Sequence, residues 1–269
     1  MAIIPIGDRH KTYEFAYDHT IIRRVPIIIR VDGRSFSKVT RRIRRPYCEK
    51  MMNLMSLTML ETIKLMDGAV FGYQQSDEIT FVLKNDQELD TEPWFGNRIQ
   101  KIVGVTASTV TYFFNEILSE MEDPPELIGQ TTFDARVFAV PDYSEAVNNL
   151  VFRQQDCSRN SLTAAAYAEF GQKFGKKTAY RLLHEKGSAQ RRELLLDECG
   201  IDFDTYYPLS FRHGIGAYRA PHLVETEEGQ VTRQKWILDF ELPNFTDDRD
   251  FVMGIITTGG DVFRRERDL

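Results

Sequence analysis

Two aspartates stand beside short apolar runs in this chain, each in a setting suited to a hard cation. Asp32 follows Val25-Pro26-Ile27-Ile28-Ile29-Arg30-Val31 and precedes Gly33-Arg34-Ser35-Phe36-Ser37-Lys38. Asp77 lies in Gln74-Gln75-Ser76-Asp77-Glu78, between two further apolar runs. Two carboxylates brought together repel each other, and a pair of hard divalent cations would supply the counter-charge. Mg²⁺ takes one or two carboxylates and completes its shell with water and phosphate oxygens. Two such ions can orient an attacking hydroxyl and stabilise a leaving pyrophosphate, which is the chemistry of nucleotidyl transfer. Gly33 lets backbone approach a metal or phosphate closely. Arg34, Ser35, Ser37 and Lys38 offer hydroxyl, basic and backbone N–H groups to a triphosphate, and Phe36 suits either the underside of a base or the core. Taken singly, each aspartate also fits a turn, since Asp-Gly is a common turn dipeptide and Asp77 could cap a hairpin.

The elements around them decide whether they meet. Residues 25–31 are β-branched and nearly all apolar, the pattern of a buried strand. Pro46 suits the first turn of a helix. Residues 49–66 carry Met51, Leu54, Met55, Thr58, Met59, Thr62, Ile63 and Met66 at helical spacing, with a stop at Asp67-Gly68. Residues 69–74 and 79–83 read as a hairpin, in which strict alternation would put Asp77 on the face opposite Ser76 and Glu78. A helix over 96–118, a Pro-containing acidic loop over 120–129 and a strand over 136–140 complete a β-α-β-β-α-β order. This is an α+β, ferredoxin-like arrangement, the core of polymerase palms. Its usual strand order makes the first and third strands antiparallel central neighbours. Asp32, just past the first strand, then lies beside Asp77, just before the third.

Residues 1–141 therefore read as a palm-like catalytic core. Residues 142–269 read as a helical and β-hairpin part packed on it: helices over 143–170, 177–184 and 188–198, the last with a Ser N-cap and followed by Gly200, then strands over 208–218 and 231–241. The chain has 269 residues, 42% hydrophobic, with a net charge of −6. No apolar run reaches the ~20 residues that span a bilayer, and the start lacks a signal-peptide pattern, so a cytoplasmic protein is expected. Cys48, Cys157 and Cys199 are scattered and the histidines show no zinc spacing, which points to reduced thiols and no structural zinc. Basic residues gather at Arg41, Arg42, Arg44 and Arg45, at Lys176 and Lys177, and at Arg191 and Arg192. These are candidate RNA contacts, although such clusters more often mark a solvated face than a binding site; the first group is the exception, because it lies nearest the aspartates.

Arg30-Val31-Asp32-Gly33-Arg34-Ser35-Phe36 and Gln75-Ser76-Asp77-Glu78-Ile79-Thr80-Phe81 resemble the two signature segments of the histidine-tRNA guanylyltransferase family. Thr132-Phe133-Asp134-Ala135-Arg136-Val137 and Arg153-Gln154-Gln155-Asp156-Cys157 with Asn160 are further matches. The resemblance runs from about Tyr13 to Tyr218. It implies a nucleotidyltransferase that extends a tRNA 5′ end in the 3′-to-5′ direction. A nucleoside triphosphate, ATP or GTP, first activates the 5′-phosphate, and the 3′-hydroxyl of an incoming nucleotide then attacks it. It also implies two Mg²⁺ ions on Asp32, Asp77 and the Gly33 carbonyl. The nucleotide site is then lined by Asp32 to Ser37, Ser76 and Asp77, with Lys38, Arg136 and Asn160 supporting it, and the assembly is a homotetramer. The family's eukaryotic members carry His-Ile-Asn-Asn where this chain has Ser158-Arg159-Asn160-Ser161. The family also has a histidine at the place of Ser37 and a lysine at that of Arg191. These departures fit the bacterial and archaeal guanylyltransferase-like branch, which repairs truncated tRNA 5′ ends. Two other readings stand beside this one. One is a nucleotide cyclase built on the same palm, which would need no RNA; Gly259-Gly260-Asp261-Val262-Phe263 resembles the active-site hairpin of diguanylate cyclases but lies near the C-terminus with no suitable fold following it. The other is a non-catalytic RNA-binding protein.

Overall fold

The computed structural model describes residues 4–226 and 229–259. In chain order the elements begin with α1 (Ile6–Phe15), β1 (Ile27–Gly33), the single turn α2 (Phe36–Val39), α3 (Glu49–Ile63), β2 (Ala69–Gln75) and β3 (Glu78–Leu83). A 3₁₀ turn at Trp94–Asn97 leads into α4 (Ile99–Glu120) and β4 (Phe133–Ala139). There follow α5 (Tyr143–Phe174), α6 (Lys176–Leu183), α7 (Ser188–Cys199), α8 (Phe203–Tyr206), α9 (Leu209–His213), β5 (Ile215–Thr226), β6 (Gly229–Asp239) and α10 (Arg249–Thr258). The α+β class and the β-α-β-β-α-β order of the first half are as expected.

The strands form one sheet in the order β4-β1-β3-β2-β5-β6, every neighbouring pair antiparallel. β1 and β3 are the central neighbours of the palm, as the topology requires. Alternation along the strands divides the core in two. Ile27, Ile29 and Val31 of β1 and Ile79, Phe81 and Leu83 of β3 point toward α3 and α4, where Leu54, Met55, Met59, Ile102, Val110 and Phe114 are fully buried. Ile28 and Val82 point the other way, toward Val147, Leu150 and Val151 of α5 and Val252, Ile255 and Ile256 of α10. The N-terminus of α5 is fixed by Asp142, whose Oδ1 accepts from the Glu145 N–H at 2.9 Å. The second half of α5 runs on beyond the sheet and carries a smaller cluster: Leu162, Ala165, Ala166 and Phe170 with Ala179, Leu183, Leu195 and Phe203.

Four expectations change. The run over 208–218 is not one strand, because Pro208 precedes the short helix α9 and extended structure starts only at Ile215. Ser188 is not the N-cap of α7; Gly187 holds that place and Ser188 is the first helical residue. The helix expected from 96 starts at Ile99, after a turn in which Phe95, Gly96 and Asn97 all have positive φ. Four helices, α1, α2, α8 and α10, lie in stretches with no expected element. The segment Gly259 to Phe263 lies outside the described residues apart from Gly259, which ends α10 in the left-handed region at φ 73°.

Candidate active site

β1 delivers Asp32 from within the strand rather than past its end. Asp32 is in register with Glu78 of β3 on one side and Asp134 of β4 on the other. Asp77 occupies a two-residue turn with Ser76, between the last residue of β2 and the first of β3. Ser76 takes φ +50°, the left-handed conformation such hairpin turns demand. That turn breaks the alternation: the Ser76 hydroxyl donates to Asp77 Oδ1 at 3.0 Å, so the two side chains meet. Asp32 and Asp77 therefore lie at one end of one sheet. Their mutual field is visible in Asp77, whose carboxyl is pushed above the usual aspartate range by burial first and by the Asp32 charge second. Glu78 is raised as well, again chiefly by burial, with Arg153 and Arg30 pulling it back down.

Gly33 closes β1 under tight steric control. A Cβ there would collide with the Phe36 ring, and Phe36 is itself buried against Phe114 and Phe133 at ring distances of 6.2 and 6.1 Å. The Arg34 N–H is taken by the Thr132 carbonyl at 2.9 Å, which leaves it unavailable to a phosphate. Ser35 adopts φ +52° to start the α2 turn, and the first N–H groups of a helical turn have no intrahelical acceptor. Arg34, Ser35, Ser37 and Lys38 are all exposed at this rim.

Beside Ser76 opens a cleft of about 180 Å³. Phe36, Ile43, Tyr47, Met51 and Met52 give it an apolar wall, and Tyr47 stacks on Phe211 of α9 at 4.9 Å. Gln74, Gln75, Asn160 and Ser161 supply polar groups, and Arg44 and Arg45 stand on its lining with exposed side chains. Gln74 Nε2 donates to the Ser76 carbonyl at 2.9 Å, which fixes the amide and braces the Asp77 turn. An apolar wall with a few oriented polar groups and a cationic rim suits a nucleoside base joined to phosphates.

Several expected residues thus converge. Asp32, Gly33, Ser76 and Asp77 share the sheet end, and Phe36, Asn160, Arg44 and Arg45 line the adjoining cleft. Arg136 does not join the cleft; it is exposed on the edge strand β4 and pairs with Asp134 at 3.6 Å. Arg41 is exposed, while Arg42 is drawn to Glu126 at 2.9 Å. Lys176 and Lys177 are exposed at the start of α6. Arg191 and Arg192 are half-buried and engaged inside the chain, Arg191 donating to the Thr163 hydroxyl at 2.8 Å and Arg192 to Asp204 at 3.0 Å. Gln74, Tyr47, Phe211 and the buried Arg153 were not among the expected site residues. The Arg153 segment had a signal in its motif match; the cleft wall had none, because it is assembled from separate elements.

Among the described residues no three His, Cys, Asp or Glu side chains converge as a metal cage. Two carboxylates at one sheet end are a donor set that Mg²⁺ accepts when phosphate oxygens and water complete its shell. The tRNAHis guanylyltransferase (Thg1) family profile matches residues 7–141. The chain belongs to this family. A bacterial tRNA(His) guanylyltransferase (Thg1)-like protein, solved in complex with ATP, has the same fold at a TM-score of 0.78 and 30% identity, covering 94% of this chain and 99% of its own. The complex of such a bacterial protein with GTP gives 0.75 and 29%, over 93% and 98%. An uncharacterized protein, R259 of Acanthamoeba polyphaga mimivirus, is 32% identical over 62% of this chain and 64% of the viral protein, so the chain spans less than two thirds of that relative. Among the described residues no helix is long and apolar enough to cross a membrane.

Proposed function

We propose that this Thg1-family chain is a Mg²⁺-dependent nucleotidyltransferase that adds nucleotides to the 5′ end of tRNA in the 3′-to-5′ direction. The observation that carries the reading is the convergence of Asp32 and Asp77 at one sheet end, beside a cleft with an apolar wall and an arginine rim. The ATP and GTP complexes of its bacterial relatives support nucleoside triphosphates as the small substrates.

In the first step an oxygen of the tRNA 5′-phosphate attacks the α-phosphorus of ATP or GTP, and pyrophosphate leaves. In the second, the 3′-hydroxyl of an incoming nucleotide attacks the activated 5′-phosphorus, its proton passes to solvent, and the nucleoside monophosphate leaves. Asp32, Asp77 and the Gly33 carbonyl would hold two Mg²⁺ ions, which when bound supply charge neutralisation to the phosphates and ease deprotonation of the hydroxyl. The cleft grips the base between Phe36, Met51 and Tyr47, with Asn160 and the fixed Gln74 amide on its polar side. Arg44 and Arg45 neutralise phosphate at the mouth, with Arg34, Lys38 and Arg41 beside them and Lys176 and Lys177 further along the RNA. No protein nucleophile is needed; positioning and charge lower the barrier. Helix α1 buries none of its side chains and leaves Ile6, Tyr13 and Phe15 exposed, a surface suited to self-association, and the homotetramer implied by the family resemblance is proposed here.

The test uses a tRNA lacking its first nucleotide, incubated with Mg²⁺, ATP and GTP, followed by sequencing of the product 5′ ends. Template-matched extension by the wild type and none by Asp77→Ala is the expected result. Cyclic product from triphosphate alone would replace this reading with a palm-fold cyclase. Tight tRNA binding with no turnover would replace it with an RNA-binding protein.

A further inference from the structure

Glu78 places a third carboxylate at the metal end of the sheet. It follows Asp77 directly and stands opposite Asp32 in the β1–β3 register. Its side chain is only 13% exposed. A carboxylate in that position would become an additional cation ligand if it were free to turn toward Asp32 and Asp77. The chain instead ties it from behind. Arg153 of α5, with a side chain 7% exposed, brings Nε to 2.8 Å from Glu78 Oε1. The N–H is not aligned on that oxygen, so the contact is an ion pair rather than a hydrogen bond. The other arm of the guanidinium, Nη2, donates to Asp156 Oδ2 at 2.6 Å. Arg30 Nε stands 3.8 Å from Glu78 Oε2, and the Phe152 ring lies 4.6 Å from the Arg153 guanidinium carbon. Asp156 is held in turn by Arg159. The planar guanidinium spans two carboxylates at once, which the point charge of a lysine cannot reproduce.

We propose that Arg153 is a positioning residue for the metal pair. It holds Glu78 against α5 and out of the metal shell, so that Asp32 and Asp77 remain the side-chain ligands. This rests on the nucleotidyltransferase reading above. It gives the match at Arg153 and Asp156 a physical role, in which the helical half of the molecule reaches across to the sheet and sets how many carboxylates the cations meet. A third carboxylate would bind divalent ions more tightly while crowding out the phosphate oxygens that the reaction needs.

The test compares wild type with Arg153→Met, Glu78→Gln and the double variant, reading the Mg²⁺ midpoint from the metal-dependent rise in Tm with GTP present, and separately the turnover number. Arg153→Met is expected to lower the Mg²⁺ midpoint by about tenfold and to cut turnover by about 10–100-fold, the usual range for losing a residue that orients a ligand set. Adding Glu78→Gln is expected to bring the midpoint back to within about twofold of the single Glu78→Gln value. A midpoint in Arg153→Met equal to wild type would overturn the proposal. Should Arg153→Met not fold, Glu78→Gln and the double variant must still share one midpoint, and a gap of more than about fivefold between them would overturn it equally. Asp77→Asn is the control for the underlying reading: if it keeps the full Mg²⁺-dependent rise in Tm, the metal assignment fails, whatever Arg153 does.

Discussion

Gly33→Ala is the sharpest single probe of how the site is built. Gly33 has no positive φ, so alanine suits its backbone and all the strain falls on one contact. The new Cβ would press on Cδ2, Cγ and Cε2 of Phe36. That ring has little room to retreat, because Phe114 and Phe133 stand on its other sides at 6.2 and 6.1 Å. Overpacking of this kind costs about 1–3 kcal/mol. For a chain of this size each kcal/mol lowers Tm by about 2–4 °C, so a mid-range cost of about 2 kcal/mol corresponds to about 4–8 °C. Urea denaturation and calorimetry of the metal-free protein read this directly. Phe36→Leu removes the ring that is struck, so the double variant should be less destabilised than the sum of the singles by about 0.5–3 kcal/mol. Strict additivity, within about 0.5 kcal/mol, would refute the steric account and leave Gly33 explained by ligand approach alone.

Other outcomes follow from the same geometry. Asp77→Asn should lose about 10²–10³-fold in nucleotidyl transfer, yet leave the metal-free Tm unchanged or higher, because it removes a charge opposed by burial and by Asp32; a clear fall in Tm would contradict this. Asp77 has a raised pKa, so its contribution to the stability of the metal-free protein is fully present below the ordinary aspartate value of about 3.9 and is lost as pH rises through the raised native value. Added Mg²⁺ should therefore raise Tm far more at pH 7.5 than at pH 4, and equal increments would refute the coupling. Gln154→Leu should cost about 3 kcal/mol in urea denaturation, because this buried amide donates to the Pro243 and His213 carbonyls at 2.9 and 3.3 Å and accepts from the Phe245 N–H at 2.7 Å. Replacing Arg44 and Arg45 together by serine should weaken tRNA binding and flatten its salt dependence by about 1.4–1.8 in log–log slope, with the metal-dependent rise in Tm retained.

The central juxtaposition was legible because it follows from period and topology. A β-branched run ending in Asp32, a hairpin turning at Asp77 and the palm strand order suffice to bring the two together. The exact position of Asp32 was not legible: whether a strand stops at Val31 or carries on to Gly33 depends on Asp134 and Phe133 of β4 pairing with it, a long-range contact. The stretch at Pro208 carries β-prone residues, but α9 packs on α5, with Cys157 and Ser158 facing the Phe211 and Arg212 carbonyls. Tertiary contact there outweighs local preference. The cleft and the Arg153–Glu78 pair were hidden for another reason. The cleft draws its wall from α2, the 43–48 loop, α3, β2, α5 and α9, and the ion pair depends on how α5 lies across the sheet. No local spacing encodes either.

The pairing of β5 with β2, from Phe71↔Tyr218 to Gln74↔Ile215, bears on how the chain folds. The first four strands pair with one another within residues 27–139, but they leave the β2 margin with open amide and carbonyl groups. Its proper neighbour is synthesised only after the whole of α5 to α9. A newly made chain therefore passes through a stage at which a mature-looking palm exposes a strand edge able to recruit another copy. A chain cut off near residue 141 would be held in that stage. Sequence-distant pairings of this kind slow folding, so recovery from denaturant should be limited by docking of the β5–β6 hairpin, with the Asp77 turn secured last from its outer side.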